Sequence, residues 1–484
     1  MVGRCTQYSR KERVFVSDIK KLNKEVNRRK FLKGSAATGG LLLGHQLGIG
    51  PIAHLARAEE AYPPLGNYPV EGPEVVFGFN VPQTGPYSDE GADELRAYEL
   101  AVEHLNNGGG MLETMNPSSL TGEGVLGKKV TYVTGDTETK APAARESARR
   151  MIERDKVIMV SGGSSSGVAI AVQGLCQEAR VIFMSCLTHA NDTTGSDKRR
   201  YGFRHFFNTD MSGRALGGLL AQEYGADRRA FHLTADYTWG HSQLRSMKDF
   251  TEAQGWTTVD NNMAPTSTTD FSPYLANVLN SDADVLVLNF YGKNMVDSLS
   301  QAVRFGMREL EVNGKTMEVV VPLYSRLMAQ GAGDNIEGIL GTMNWSYKLE
   351  DPGSVAFVNT FVEKYGFPPS QAAHTAYVQT LLYADAVERA GTFYPPEVIR
   401  AFENGGEGHS VEGIGPGVCD YRACDHQAFH DILVVKGKAA ADRENEYDRL
   451  EIVNQVDKSE ITYECGAVDR PGEPGELGEY GDEA

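Results

Sequence analysis

Small hydroxyls and large rings recur in this chain just after short apolar runs, and these are the residue types best suited to chemistry. Ser164, Ser165 and Ser166 follow Gly162-Gly163, and Thr188 and His189 follow the run that ends at Ser185. Tyr87 follows Gly85-Pro86, Asp236 and Trp239 share one short segment, and Tyr291 and Tyr324 stand after two later apolar runs. A serine hydroxyl beside unpaired backbone N–H groups holds a carboxylate or carbonyl oxygen at modest desolvation cost. Thr188 and His189 offer donors or acceptors, while Tyr87, Trp239, Tyr291 and Tyr324 can cap a ligand with a ring and a polar tip. The competing readings are simple N-capping for the serines, a structural role for the histidine and core packing for the rings. No His/Cys/Asp/Glu cluster has metal-ligand spacing and no Gly-Lys-Ser/Thr occurs, so the expectation is no metal, no cofactor and no enzyme. The mixture suits a small polar molecule with some apolar body.

Position in the fold explains why these residues stand out. Apolar Val/Ile-rich runs at 74–79, 129–134, 157–161, 181–185, 230–234, 284–289 and 318–321 alternate with amphipathic patterns at 92–106, 142–154, 168–179, 213–224, 243–253 and 295–305. Continuous apolar strands with helices between them predict an α/β protein with parallel sheets covered on both faces. The series is long enough for two sheets. Two longer helices are predicted over 355–365 and 371–390, and the alternation fades after 440. Ligands of open parallel sheets bind beyond the carboxyl ends of the strands, where helix N-termini converge. Each residue singled out above falls at such an end.

The 484 residues carry 65 acids against 47 lysines and arginines, a formal charge of −18. At a pI near 5.1 the chain is a poor nucleic-acid binder. Residues 1–58 differ from the rest. A basic stretch ends in Asn27-Arg28-Arg29-Lys30-Phe31-Leu32-Lys33, a Gly- and Ala-diluted apolar run follows, and Ala56-Arg57-Ala58 closes it. The arginine pair resembles a twin-arginine export signal, with Asn27 where Ser or Thr is usual. Cleavage after Ala58 leaves 35 basic and 62 acidic residues, a formal −27. No later run reaches about 18 apolar residues, so no membrane span is expected in the mature chain. The expectation is a periplasmic or extracytoplasmic protein exported already folded. Residues 471–484 hold five acids and no base, which predicts a solvated acidic tail.

Over about 74–436 the sequence resembles the leucine/isoleucine/valine-type (type I) periplasmic binding proteins, the substrate-binding components of amino-acid, amide and urea ABC transporters. The residues that carry it are Phe79 to Tyr87, the Ala101 to Gly110 helix end, Lys128 to Asp136, Asp236 to Gly240, Thr268-Thr269-Asp270-Phe271 and Gln301 to Gly306. The resemblance implies two parallel-sheet lobes joined by three crossover strands. Lobe 1 would be 74–207 plus 341–409 and lobe 2 would be 208–340 plus 410–436, with hinges near Phe207, Leu340 and Ser410 and a C-terminal extension over 437–484. It also implies capture of a small solute and docking on ABC permease subunits, a sensory receptor of the same fold being the alternative. The serine loop matches the family's carboxylate-binding loop, and Thr188 and His189 fall where the family presents an amide and a hydroxyl. Gly162 to Gly167 also resembles the core of amidase-signature hydrolases, which need a Ser–Ser–Lys arrangement; the upstream Lys128, Lys129 and Lys140 sit in polar settings.

Two further expectations bear on chemistry. Amino-acid-binding members bring a carboxylate from the loop after a late lobe-two strand, but the matching segment here, Val321 to Ser325, has no acid. Either Asp236 or another acid takes that part, or the solute has no ammonium, because a buried unpaired ammonium costs several kcal/mol. Of the five cysteines beyond residue 58, Cys419 and Cys424 flank a short turn and are the expected disulfide.

Overall fold

The computed structural model describes residues 62–483. The export-signal expectation for 1–58 lies outside the described residues.

The first lobe is built on five short strands, β1 (Glu74–Val81), β2 (Lys129–Asp136), β3 (Met159–Gly162), β4 (Ile182–Ser185) and β5 (Gly202–Arg204). They pair in the order β2-β1-β3-β4-β5, all parallel. β1 is buried along almost its whole length because it is central, whereas β2 alternates exposed and buried residues as an edge strand does. Helices α1 (Ser88–Asn107), α2 (Ala141–Glu153) and α3 (Ser166–Ala179) connect them. Phe79 stacks on Tyr98 of α1 at 4.1 Å between ring centroids, which seats that helix on the sheet.

The second lobe takes β6 (Arg229–Ala235), β7 (Thr257–Ala264), β8 (Val285–Asn289), the small hairpin β9 (Glu311–Val312) and β10 (Lys315–Thr316), then β11 (Glu318–Leu323) and β12 (Leu340–Met343). Its helices are α4 (Thr209–Tyr224), α5 (Thr238–Glu252), α6 (Ser272–Leu279), α7 (Gly292–Arg304) and α8 (Arg326–Ala332). The chain then returns to the first lobe as α9 (Pro352–Tyr365), α10 (Gln371–Ala390), which packs on α1, and α11 (Pro395–Glu403). A three-stranded antiparallel sheet, β13 (His409–Val411), β14 (Cys419–Tyr421) and β15 (Ala428–Phe429), leads back. The second sheet closes with β16 (Ile432–Gly437) and β17 (Leu450–Val456), in the order β17-β16-β12-β11-β8-β6-β7. The chain thus passes between the lobes three times, through 205–208, 344–351 and 409–431.

Several features differ from the sequence expectation. The second sheet is mixed, because β16 and β17 run antiparallel to their neighbours. β12 still belongs to the second sheet, so the return to the first lobe begins after residue 343 rather than at 341. β17, beyond 440, is a sheet edge whose exposed Glu451, Asn454 and Gln455 hide the alternation. The acidic tail is anchored to the first lobe at a few residues, while four of its five acids, Glu473, Glu476, Glu479 and Glu483, stay exposed as expected. The Arg200 N–H donates to the Leu477 carbonyl, Arg400 makes two 2.8 Å bonds to Asp482, and the guanidinium of Arg200 lies 4.4 Å from the centre of the Tyr480 ring. Arginines of the first lobe supply the bases that the tail lacks.

The disulfide expectation is also corrected: Cys424 bonds Cys465, and Cys419 is a free, buried thiol. Cys419 lies in β14 opposite Val411, with its sulfur 3.8 Å from Nδ1 of His205, so the strand turns it inward. Cys424 comes after the strand, at the surface, where the chain following the short helix α12 (Lys458–Ile461) reaches it. Among the described residues no helix is long and apolar enough to cross a membrane.

Candidate functional site

The carboxyl ends of β3 and β4 deliver the first lobe's share of a small pocket. Gly162 and Gly163 have φ of 126° and 80°, and a Cβ on Gly162 would sit 2.2 Å from the Asn80 carbonyl oxygen, so only glycine lets the chain turn here. Ser165 follows at φ 142° and Leu187, after β4, at φ 42°. Both are strained non-glycine residues, and both line the pocket with Ser166, His189 and Tyr87. From the second lobe come Tyr237 and Trp239 after β6, Tyr291 after β8 and Leu323 at the end of β11.

The lobes touch through named polar bonds. The Tyr87 and Tyr237 hydroxyls lie 2.7 Å apart. The Trp239 indole N–H donates to Nδ1 of His189 at 2.9 Å. Nδ1 therefore carries no proton, and the Nε2–H donates to the Ser212 hydroxyl, also at 2.9 Å. Burial, with the Arg204 charge nearby, holds the His189 pKa well below the usual range, so the ring is neutral. Arg204 is itself buried and braces this loop, bonding the carbonyls of Thr188 and Ala190 and the side chain of Gln427. Gly292, at φ 55°, sits so close to Tyr87 that a Cβ there would lie 2.9 Å from the Tyr87 ring.

The sequence-predicted residues divide. Tyr87, Ser165, Ser166, His189, Trp239 and Tyr291 come together in the pocket wall. Ser166 uses its hydroxyl to accept the Ala190 N–H. Ser164 is buried behind the wall, where its hydroxyl donates to Glu94. Thr188 turns its hydroxyl to the Cys186 carbonyl at 2.8 Å. Tyr324 packs in the second lobe against Gly341, and Asp236 is exposed and paired with His241 at 2.9 Å. Neither lines the pocket. Lys129 and Lys140 pair with Glu74 and Glu138, and Lys128 bonds the Gly72 carbonyl, so each upstream lysine is engaged away from the serine loop.

Sequence reasoning missed Glu90 and Glu94, and it placed Tyr237 only within the Asp236 to Gly240 turn without a role of its own. Glu90 accepts bonds at Oε1 from Tyr291 (3.0 Å) and Ser325 (2.7 Å), both of the other lobe. Burial pushes its pKa up to about 7, against the pull of those two bonds, and burial likewise pushes Glu94 up to about 8. Both acids lie in the first turns of α1, a pattern that normally reads as helix-dipole pairing in solvent. The second lobe bonds Glu90, whereas Glu94 is bonded within the first lobe by Ser164.

A pocket at the strand tips of two α/β lobes, closed by bonds between those lobes, defines a two-lobed solute receptor. The chain belongs to the periplasmic binding protein family, whose model matches residues 74–443. It is 24% identical over 381 residues to the Leu/Ile/Val-binding protein homolog 8 of Brucella abortus (strain 2308), covering 75% of this chain and 85% of the relative. In fold it is similar to an amino-acid ABC transporter substrate-binding protein from Pseudomonas fluorescens Pf-5 (TM-score 0.69, 24% identity, 80% of this chain and 97% of that one). It is also similar to an ABC-transporter solute-binding protein from Rhodopseudomonas palustris BisB5 in complex with 3,4-dihydroxybenzoic acid (TM-score 0.68, 19% identity, 80% and 98%). The chain is thus a type I binding protein of the ABC-transporter substrate-binding class.

Proposed function

We propose that the protein captures a small polar solute between its lobes outside the cytoplasm and hands it unchanged to an ABC importer. The observation that carries this reading is the shared pocket, whose walls come from both lobes and are pinned together by Tyr87–Tyr237 and His189–Trp239. Closure excludes water and strengthens every polar contact to the guest; opening releases it. The closed state gains only the solute's differential contacts. The three passages at 205–208, 344–351 and 409–431 serve as the hinge. The twin-arginine-like segment at Arg28-Arg29 serves as the export address of a chain that folds before it crosses the membrane.

A thermal-shift screen of amino acids, short amides, urea and small carboxylates tests the reading. A true solute at 100 times its Kd adds about 2.7 kcal/mol of stability. A solute that is bound and then chemically converted, with turnover lost on changing Ser164, Ser165 or Ser166, would replace this reading by a hydrolase.

A further inference from the structure

A second cavity borders the middle passage between the lobes and shares no residue with the solute pocket. Its wall includes Arg326 of α8, Trp345, Tyr347 and Lys348 of the passage, Gln371 of α10, and Arg449 just before β17. The charged residues of the wall are Arg326, Lys348 and Arg449, all basic. Each carboxylate that pairs with them is shared with another base. Asp93 lies 3.7 Å from Arg326 and 3.4 Å from Arg96. Asp448 takes Lys348 and Lys438 together. Asp334, which is exposed, lies 2.5 Å from Arg443 and 3.9 Å from Arg449. Six bases thus divide three acids. Glu90 also acts on the Arg326 charge, but burial pushes its pKa up to about 7, so it is only partly ionised near neutrality. Asp89 and Glu444 are exposed to solvent.

Three buried donors on residues of this wall have no hydrogen-bond partner among the described residues: Nε of Arg326, Nη1 of Arg449 and the Tyr347 hydroxyl. Arg326 is 6% exposed. Tyr347 keeps its proton, because burial and the Asp448 charge push the phenol above its usual range. The side-chain acceptors beside these donors are taken. Gln371 Oε1 accepts the Asn344 N–H, and the Ser346 hydroxyl accepts the Lys348 N–H. A buried donor left unpaired is costly, and more so when it is charged. A water filling the space brings donors along with its acceptors. An anion brings acceptors alone and also cancels part of the excess positive charge.

From these observations we infer that this cavity is a binding site for a small anion, held by Arg326, Arg449 and the Tyr347 hydroxyl beside the middle passage between the lobes. The site is separate from the solute pocket, and the inference stands whatever that pocket takes. At a formal −27 the mature chain as a whole repels anions, so a bound one reports the local surplus of bases. Once seated, the anion ties α8 of the second lobe to the passage and to the C-terminal extension, bracing the hinge from outside the cleft. A free halide and the head of an oxyanion present the same chemistry to these donors, and competition tells them apart.

Trp345 makes the site visible. It stands on the cavity wall, fully buried, with its indole N–H donating to Ser354 at 2.7 Å. A bromide ion seated in the cavity quenches its fluorescence by contact, whereas bromide in bulk water does not reach it. The mature protein is titrated with bromide against gluconate at constant ionic strength, with caesium as the cationic quencher. The expected result is quenching that saturates with bromide, is absent with caesium and is reversed by chloride, phosphate or acetate, the best competitor naming the source. The saturating component is lost in Trp345→Phe, and in Arg449→Gln the half-saturating bromide concentration rises about tenfold. Melting curves show whether each variant folds, and the parent titration decides the matter if one does not. Quenching that is absent, linear in bromide, matched by caesium, or unchanged in a folded Arg449→Gln or Trp345→Phe protein overturns the site and leaves the solute-receptor reading untouched.

Discussion

The indole N–H of Trp239, on the second lobe, donates across the cleft to Nδ1 of His189, on the first, and so fixes the tautomer of that ring. One bond therefore joins the two halves, fills one face of the pocket and keeps a titratable group neutral. Trp239→Phe keeps the ring and removes the donor. The expected outcome is a solute affinity lower by about tenfold, with the melting temperature of the unliganded protein little changed. Unchanged affinity measured by calorimetry would place the lobe–lobe bond outside the closing mechanism.

Gly292 lies where the second lobe presses against Tyr87 of the first. Its replacement by Ala puts a methyl group 2.9 Å from the Tyr87 ring and sets an L-residue at φ 55°. Solute-induced compaction, read by small-angle scattering, is expected to be reduced and affinity to fall. A Gly292→Ala variant that compacts like the parent would show that Tyr87 gives way freely.

Glu90 and Glu94 link stability to pH with an uncommon sign. Burial raises them from 4.5 to about 7 and about 8, so the folded state holds more protons than the unfolded chain between those values. Their contribution to unfolding free energy is full below about 4.5, falls as pH climbs, and levels off above about 8. The loss is on the order of 3 kcal/mol for Glu90 and on the order of 5 kcal/mol for Glu94. Denaturation of the parent and of a Glu90→Gln/Glu94→Gln variant from pH 4.5 to 8.5 should show the parent losing more stability; parallel curves would mean that neither carboxyl is buried in solution.

The disulfide from Cys424 to Cys465 spans a sequence separation of 41 residues. A loop of that length contributes about 4 kcal/mol in the chain-entropy account. Peptide mapping under non-reducing conditions should recover the 424–465 link with Cys419 free to alkylate after unfolding. A 419–424 link would contradict the structure.

Export is testable apart from binding. Lysine at both Arg28 and Arg29 is expected to leave the protein in the cytoplasm, judged by fractionation. Normal secretion of that variant would remove the twin-arginine reading.

Much of this architecture was legible because its central strands are unbroken apolar runs. Val285 to Asn289 reads as a buried strand and is one, and of the residues after such runs Tyr87, Ser165, Ser166, His189, Trp239 and Tyr291 line the pocket while Ser164, Thr188, Asp236 and Tyr324 do not. What escaped was decided by tertiary context. β7, with Asp260, Asn261 and Asn262, is a polar edge strand without a period. Glu90 and Glu94 look like ordinary surface acids until Tyr291 and Ser325 reach Glu90 from the other lobe and Ser164 reaches Glu94 from the loop after β3. Asp236 and Tyr237 are neighbours in sequence, yet the chain turns one to solvent and the other into the cleft. The disulfide partner of Cys424 lay 41 residues on, beyond any rule based on short turns.

The tail that packs on the first lobe has a consequence for the order of assembly. Tyr201 and Glu403 receive their partners from Tyr480, close to the last residue of the chain. The half that leaves the ribosome first thus stays unfinished until Tyr480 has been made, so the first lobe cannot complete its packing ahead of the second.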